Sequence, residues 1–254
     1  MFYLIYFFTK RIGVSRGATS FLSGGTVLHA TYTIALGVLL GRHPMATIFE
    51  FLSFVAMTMA IIYLFLETYY KNKFIGAFVV PAVFVLQFIA SIGVDVSSTL
   101  VPMLREVKFA LHASMFASAY AAYFLGVLFA VMLLMFERSL KQKNYGIIFE
   151  QLPSLSILVK MTISTTVIGF IFMTVGLGIG AHTAASAVQG FHMDPKIGFT
   201  VLVWLVYAFV IFAHFFLRWS DRRTAILNLL GFVLLALSTV ISHASISSWH
   251  QFVR

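Results

Sequence analysis

The sequence contains no cysteine and few charged residues. Because no thiol is present among the 254 residues, disulfides, iron–sulfur clusters and thiolate catalysis are excluded. Only 10% of the residues are charged and 61% are hydrophobic, whereas a soluble domain is about half apolar and about a quarter charged. One globular core of this size cannot hide so much apolar surface, so a lipid bilayer is the natural solvent for this chain.

Apolar runs of membrane-spanning length fill most of the chain. A helix needs about 20 mostly apolar residues to cross the hydrocarbon region. Seven runs qualify, at residues 19–40, 46–67, 74–94, 108–135, 162–182, 198–217 and 225–246. The opening segment MFYLIYFF is too short to span and fits the end of an eighth helix. The sequence therefore predicts an all-α integral membrane protein, a bundle of about eight transmembrane helices with a short first one and no soluble domain.

The basic residues divide unequally between the two sets of connections. Twelve fall on one side: Lys10, Arg11, Arg16, Lys71, Lys73, Arg138, Lys141, Lys143, Lys160, Arg218, Arg222 and Arg223. Five fall on the other: Arg42, Arg105, Lys108, Lys196 and Arg254. Because cytoplasmic loops carry the excess of Lys and Arg, the loop at 182–197 and the C-terminus are predicted to lie outside. No basic stripe with interleaved aromatic residues is present, so nucleic-acid binding is not predicted.

Histidines occur at two predicted levels of the bundle. His112, His243 and His250 lie at outer helix ends, whereas His29 and His214 are placed as an inner pair. Two histidines from different helices at one depth suit axial ligation of haem iron. No compact zinc spacing such as HExxH is present. The alternative is that each membrane histidine is hydrogen-bonded to a neighbouring helix and binds nothing. The loop histidines His43, His182 and His192 are expected to be solvated.

Two further features have structural interpretations. Glu67, near one end of the third helix, is expected to be interfacial. The small-residue run TVGLGIGA (174–181) is expected to let two helices approach closely.

Several segments, taken in order along the chain, carry a family resemblance. They are IFEFLSFVA (48–56), LHASMFASAYAAYFLGVLFAVMLLMFERSLK (111–141), LPSLSIL (152–158), GFIFMTVGLGIGA (169–181), DPKIGFTVLVWLVYA (194–208) and GFVLLAL (231–237). Their order and spacing resemble the CcsA-like cytochrome c assembly proteins, in particular the short HemX-like branch. The resemblance implies one membrane domain over residues 1–254, in the inner (cytoplasmic) membrane of a bacterium. It also implies a protein that binds haem by histidines and presents it at the outer face for attachment to apocytochrome c.

The resemblance also implies a ligand set. Carried over residue by residue, the outer haem-iron ligands are His112 and His250, and the inner pair is His29 and His214. His243 lies seven residues before His250, two turns back on roughly the same helix face, and competes for that role. The haem implied is a non-covalent b-type haem. The implied partners are membrane lipid, another cytochrome c assembly membrane protein and apocytochrome c.

The loop before the seventh predicted helix, at 198–217, departs from the family pattern. The family's loop tryptophans fall on Ala187, Phe191 and Met193 in this chain, while Asp194 to Lys196 keep the Asp-Pro-Lys of the family. Phe191 still offers a flat ring to a porphyrin face. Asp194 is either a haem-loop residue or simply the N-cap of the next helix, with Pro195 in its first turn. Lys196 either pairs with a haem propionate or extends to the interfacial water.

Three functional interpretations remain open at this point. The first is haem handling for cytochrome c biogenesis, with no stand-alone catalysis, because the chain has no cysteine and no credible Ser-His-Asp spacing. The second is a HemX-like regulatory or scaffold membrane protein that acts on haem synthesis or assembly through protein contacts. The third is a small-solute transporter, which predicts paired Gly/Pro interruptions in two halves of the chain, and no such pairing is found.

Overall fold

In a computed structural model of the chain, residues 1–93, 106–143, 146, 151–186 and 195–244 are described, with the backbone alone for 184–186, 195–196 and 242–244. These residues form helices and no strand. The eight helices are α1 (Phe2–Thr9), α2 (Ile12–Leu40), α3 (Ile48–Tyr70), α4 (Gly76–Ile92), α5 (Val107–Gln142), α6 (Leu155–Ser186), α7 (Pro195–Phe215) and α8 (Asp221–Ala244).

The predicted class is confirmed: the chain is an all-α integral membrane protein. Six helices, α2, α3, α5, α6, α7 and α8, are long and apolar enough to cross a membrane. Helix α4 is a shorter apolar helix with Pro81 inside it, and α1 has only 8 residues. The predicted start of α7 is also confirmed, since Pro195 is its first residue. Proline is tolerated there because the first N–H groups of a helix have no partner within the helix.

Helix α5 is the central and longest helix of the bundle. Its 36 residues span roughly 54 Å at 1.5 Å per residue, well beyond a hydrocarbon core of about 30 Å. The sequence placed its end near residue 135, but the helix continues to Gln142. Glu137 and Lys141, four residues apart on the same face, form an ion pair of 2.9 Å in the added turns. Helix α5 packs against α3, α6 and α8.

Successive helices from α2 onward run in alternating directions and give the bundle two ends. The basic end holds the turns after α1, α3 and α7 and the last turn of α5. The distal end holds the α2–α3 loop, the start of α5 and the last turns of α6. Two apolar cores lie between them, one among α3, α4, α5 and α6 and one among α5, α6, α7 and α8. The second contains the stacked rings of Tyr123 and Tyr207, whose centroids are 3.6 Å apart.

Glu67, near the basic end of α3, is buried, although the sequence indicated an interfacial position. It is only 2% exposed. Its carboxylate accepts hydrogen bonds from the hydroxyls of Tyr3 (2.6 Å), Tyr63 (2.7 Å) and Thr19 (2.6 Å). These donors come from α1, α3 and α2, so the short α1 is tied to the bundle through one carboxylate. The sequence interpretation was wrong because it could not show that α1 and α2 cover this face of α3.

Candidate functional site

His112, in the second turn of α5, is held by α6 at the distal end. Its Nδ1 lies 3.0 Å from the backbone oxygen of Gly176. A carbonyl oxygen can only accept, so Nδ1 carries the proton and donates it. In the neutral form of the ring, the lone pair is then on Nε2. Histidines that bind metals show this arrangement, with one nitrogen donating to a carbonyl and the other facing the metal.

Two glycines of α6 form the surface on which His112 rests. A Cβ added at Gly180 would lie 2.7 Å from Cε1 and 2.9 Å from Nδ1 of His112. A Cβ added at Gly176 would lie 2.9 Å from the ring of Phe116. The two rings are four residues apart on α5, and the two glycines are four residues apart on α6. The small-residue run TVGLGIGA therefore brings the two helices together, as the sequence predicted.

A cleft of about 480 Å³ opens between α2, α3 and α4 in the distal half of the bundle. Its lining is mostly apolar and includes Leu28, Leu36 and Phe49, with His29, Ser53 and Gln87 among the polar groups. Ligand sites typically have this composition, a volume of about 300–1,000 Å³ and a few placed polar groups.

His29 belongs to a chain of hydrogen bonds along this cleft. The Ser53 hydroxyl donates to Oε1 of Gln87 (3.1 Å) and lies 2.9 Å from Nε2 of His29. Ser53 has one hydroxyl hydrogen and uses it on Gln87, so it accepts from His29 Nε2–H. The lone pair of the His29 ring is therefore on Nδ1. This polar chain connects α2 to α3 and α4 inside the membrane.

A buried ion pair fixes the loop between α2 and α3. The Arg42 guanidinium donates to both carboxylate oxygens of Glu50 at 2.8 Å each, and their side chains are 0% and 6% exposed. The same carboxylate accepts from the backbone N–H of Ala46 (2.6 Å) and Thr47 (3.3 Å). Thr47 Oγ1 in turn accepts from the N–H of Glu50 and completes a capping box. Bidentate charge-assisted pairs of this kind give the loop a defined shape.

His43, which follows Arg42 in this loop, was expected to be solvated and is half-buried. Its Nε2 lies 2.7 Å from Oγ of Ser114 on α5. Its ring meets the ring of Phe54 edge-on, with centroids 5.8 Å apart. Burial lowers the pKa of His43, with a further lowering by Arg42 that the charge of Glu50 opposes. The neutral imidazole is therefore favoured at this position.

The structure does not bring His29 and His214 together. Helix α2 packs against α1 and α3, whereas α7 packs against α6 and α8. His29 bonds to α3 in the distal half, and His214 lies in the last turn of α7 at the basic end. Among the described residues, Nδ1 of His214 is buried without a hydrogen-bond partner.

Other predicted site residues fall at or beyond the limits of the described chain. His250, Phe191 and Asp194 lie outside the described residues, and only the backbone of His243 and Lys196 is described. In the described ranges, no group of three His, Asp or Glu side chains is arranged to hold a metal ion.

Sequence reasoning missed three contributors to this region. His43 gave a usable signal, since it lies between Arg42 and a proline in a short loop. Ser53 and Gln87 gave none, because a single Ser or Gln in an apolar run is common and only the packing of α3 against α4 makes them neighbours of His29.

Comparison with known proteins finds similarity to proteins of cytochrome c assembly, both in a family model and in individual relatives. The family described as cytochrome C assembly protein matches residues 45–250. A protein named cytochrome c biogenesis protein CcsA from Heterosigma akashiwo is 28% identical over 225 residues, covering 74% of this chain and 70% of the relative. Proteins of the same name from Trieres chinensis (27%) and Parasynechococcus marenigrum (25%) each cover 77% of this chain and 73% of their own length. Since the family match takes in well over half of the sequence, the chain belongs to the cytochrome c assembly protein family.

Proposed function

We propose that this protein takes part in cytochrome c assembly by binding haem through histidines and presenting it at the distal end of the bundle. The observation that carries the proposal is His112. Its Nδ1–H is bonded to Gly176, its ring rests on Gly180, and its lone pair is on Nε2. An oriented imidazole at the end of a membrane helix is suited to bind haem iron through Nε2. The curated relatives are named for cytochrome c biogenesis, which supports the same role.

In this proposal, haem is the cargo and is bound non-covalently, as a b-type haem. His250, or His243 seven residues before it in the sequence, is the proposed source of the second axial nitrogen. Phe191 is the proposed contact for a porphyrin face, Lys196 is the proposed partner of a haem propionate, and Asp194 is proposed as a further residue of the haem-handling loop. The proposal needs no catalytic residue of this chain: bond formation to apocytochrome c involves the thiols of that partner and a further assembly protein.

The cleft between α2, α3 and α4 is proposed as a second haem position, inside the membrane. Its volume of about 480 Å³ and its apolar walls suit a flat, largely apolar ring. His29 lines the cleft and is the candidate ligand there. His214 is retained only as a separate candidate at the basic end, because the described helix contacts do not pair it with His29.

The orientation and membrane are part of the proposal. The excess of Lys and Arg in the connections of the basic end supports a cytoplasmic position for that end and an outer position for the distal end. We propose the inner membrane of a bacterium, where haem would reach the outer face and apocytochrome c.

The test is the visible absorption spectrum of the detergent-purified protein, oxidised and dithionite-reduced, with a pyridine haemochrome assay. We expect a reduced low-spin b-type spectrum. His112→Ala should weaken haem binding by roughly tenfold or more, since the loss of even an outer-shell partner of a metal ligand costs about 10–100-fold. His182→Ala is the matched control, because His182 is an exposed histidine near the same distal end of α6. Equal haem contents in the two variants would refute the role of His112.

A second candidate is a HemX-like regulatory or scaffold protein that carries no haem. The replacement of the loop tryptophans by Ala187, Phe191 and Met193 favours it, because those rings are the family's usual porphyrin contacts. A pure, folded protein without a Soret band after expression with added haem would establish this candidate over the first.

A further inference from the structure

Two clefts flank the contact between α2 and α3, and they share part of their walls. The cleft that contains His29 adjoins a second cleft of about 440 Å³ that is lined by His43. Thr33, Pro44 and Phe54 line both. Thr33 is one helical turn after His29, and Pro44 directly follows His43. The cleft beside His29 and the cleft beside His43 are therefore neighbours, with these three residues as their common wall.

His43 is also next to the His112 site. Its hydrogen-bond partner Ser114 lies two residues after His112 on α5. Two residues rotate a helix by about 200°, so Ser114 faces α3 and the α2–α3 loop while His112 faces α6. His43 thus contacts the same turn of α5 as His112, from the side of the cleft.

The loop around His43 is held more firmly than a connecting loop requires. The backbone oxygen of His43 accepts hydrogen bonds from Arg42 Nη1 (3.2 Å) and from the N–H of Met45 (2.9 Å). Arg42 is itself fixed by the buried pair with Glu50. Buried ion pairs are weak evidence for stability, because removing two charges from water costs about as much as their attraction returns. Supporting shells of this kind are typical of side chains that must be held in one position for function.

We propose that His43 is a further axial ligand for haem, placed between the cleft of His29 and the distal site of His112. The proposal rests on the proposed haem-handling function and specifies the route within it. Iron exchanges one axial nitrogen for the next: the bond to His29 breaks as the bond to His43 forms, and the bond to His43 breaks when haem passes around α5 to the distal site of His112. No porphyrin bond changes, and the oxidation state of the iron is constant. In the absence of haem, the hydroxyl of Ser114 keeps the His43 ring in place.

The experiment stalls haem at His43 and then removes that ligand. His112→Ala should leave a reduced but measurable haem content, held by His43. Adding His43→Gln should lower this content by roughly another tenfold. Gln is chosen because its amide can keep the hydrogen bond to Ser114 but is a poor iron ligand. The matched control is His112→Ala with His182→Gln, which should retain the haem content of His112→Ala. In a His112→Ala background, His43→Gly should regain a low-spin spectrum when imidazole is added, because free imidazole can fill the vacated ligand position.

The outcomes separate this proposal from the one on which it rests. Wild-type protein with no bound haem overturns both. Wild-type protein with haem, and equal haem content with and without His43→Gln, overturns the role of His43 alone. A loss in His43→Gln with no imidazole rescue in His43→Gly would assign His43 to loop structure and also overturn its ligand role.

Discussion

Substituting Gly180 by alanine tests whether the α5–α6 contact is what positions His112. The added Cβ would lie 2.7 Å from Cε1 and 2.9 Å from Nδ1 of the ring, closer than side chains tolerate. The ring must move, and its bond to Gly176 is strained or lost. Overpacking costs about 1–3 kcal/mol and a lost hydrogen bond about 1 kcal/mol. The expected total is about 2–4 kcal/mol before any gain in helix propensity.

Gly178 supplies the matched control, because a Cβ there meets nothing within 4 Å. Alanine is favoured over glycine in helices by about 0.5–1 kcal/mol at either position, so the difference between the two variants cancels this gain. Reversible unfolding in mixed detergent micelles measures that difference, and the haem spectrum of each variant reports on the His112 site. Gly180→Ala should be less stable by about 2–4 kcal/mol and should bind haem more weakly. If Gly180→Ala matches Gly178→Ala in both stability and haem binding, the α5–α6 contact does not position His112.

Three further predictions concern the loop and the basic end. Glu50→Gln leaves the Arg42 guanidinium buried without its counter-charge and should lower the free energy of unfolding by about 3–5 kcal/mol. The double variant Arg42→Met with Glu50→Leu should recover most of that loss, because it leaves no buried charge unpaired. Equal losses of stability in the single and double variants would contradict this explanation. Tyr3→Phe removes one hydrogen-bond donor to the Glu67 carboxylate and should lower the free energy of unfolding by about 1.5–3 kcal/mol, the usual range for hydrogen bonds to charged groups. If the bond to the charged carboxylate is the cause, Tyr3→Phe should cause no further loss of stability in a Glu67→Gln background. Because burial lowers the pKa of His43 in the folded protein, the unfolded chain binds a proton at this residue more readily. The free energy of unfolding should therefore fall as pH drops below about 6.5 and through the lower pKa of the folded state. Thermal unfolding from pH 7 to pH 5 should depend less on pH for His43→Gln than for the wild type, and an equal dependence would contradict this contribution of His43.

The sequence located the helices well because the signal for each is local. In a bilayer every backbone N–H and C=O must be satisfied within its own segment, so an apolar run of the right length has to be a helix. The end of α5 was misplaced because apolarity marks the membrane boundary, whereas the helix continues in water through Glu137 and Lys141. The small-residue run on α6 was interpreted correctly because close helix contact is its usual use.

The candidate site was only partly predictable. His112 was identified from its place at a helix end, but its ring orientation depends on Gly176, 64 residues away. His43 was taken for a solvated loop residue, yet its partner Ser114 is 71 residues further along the chain. Glu67 was taken for an interfacial residue until Tyr3, 64 residues earlier, was found against it.

The sequence by itself thus determined the class of the protein, its membrane helices and the histidines worth examining, because composition and run length decide how a segment meets lipid. Only the tertiary structure decided which of those histidines are bonded, to what, and beside which cleft. The physical reason is that lipid offers no preference between apolar helix faces, so the rotation and neighbours of each helix are set by side-chain packing and interhelical hydrogen bonds.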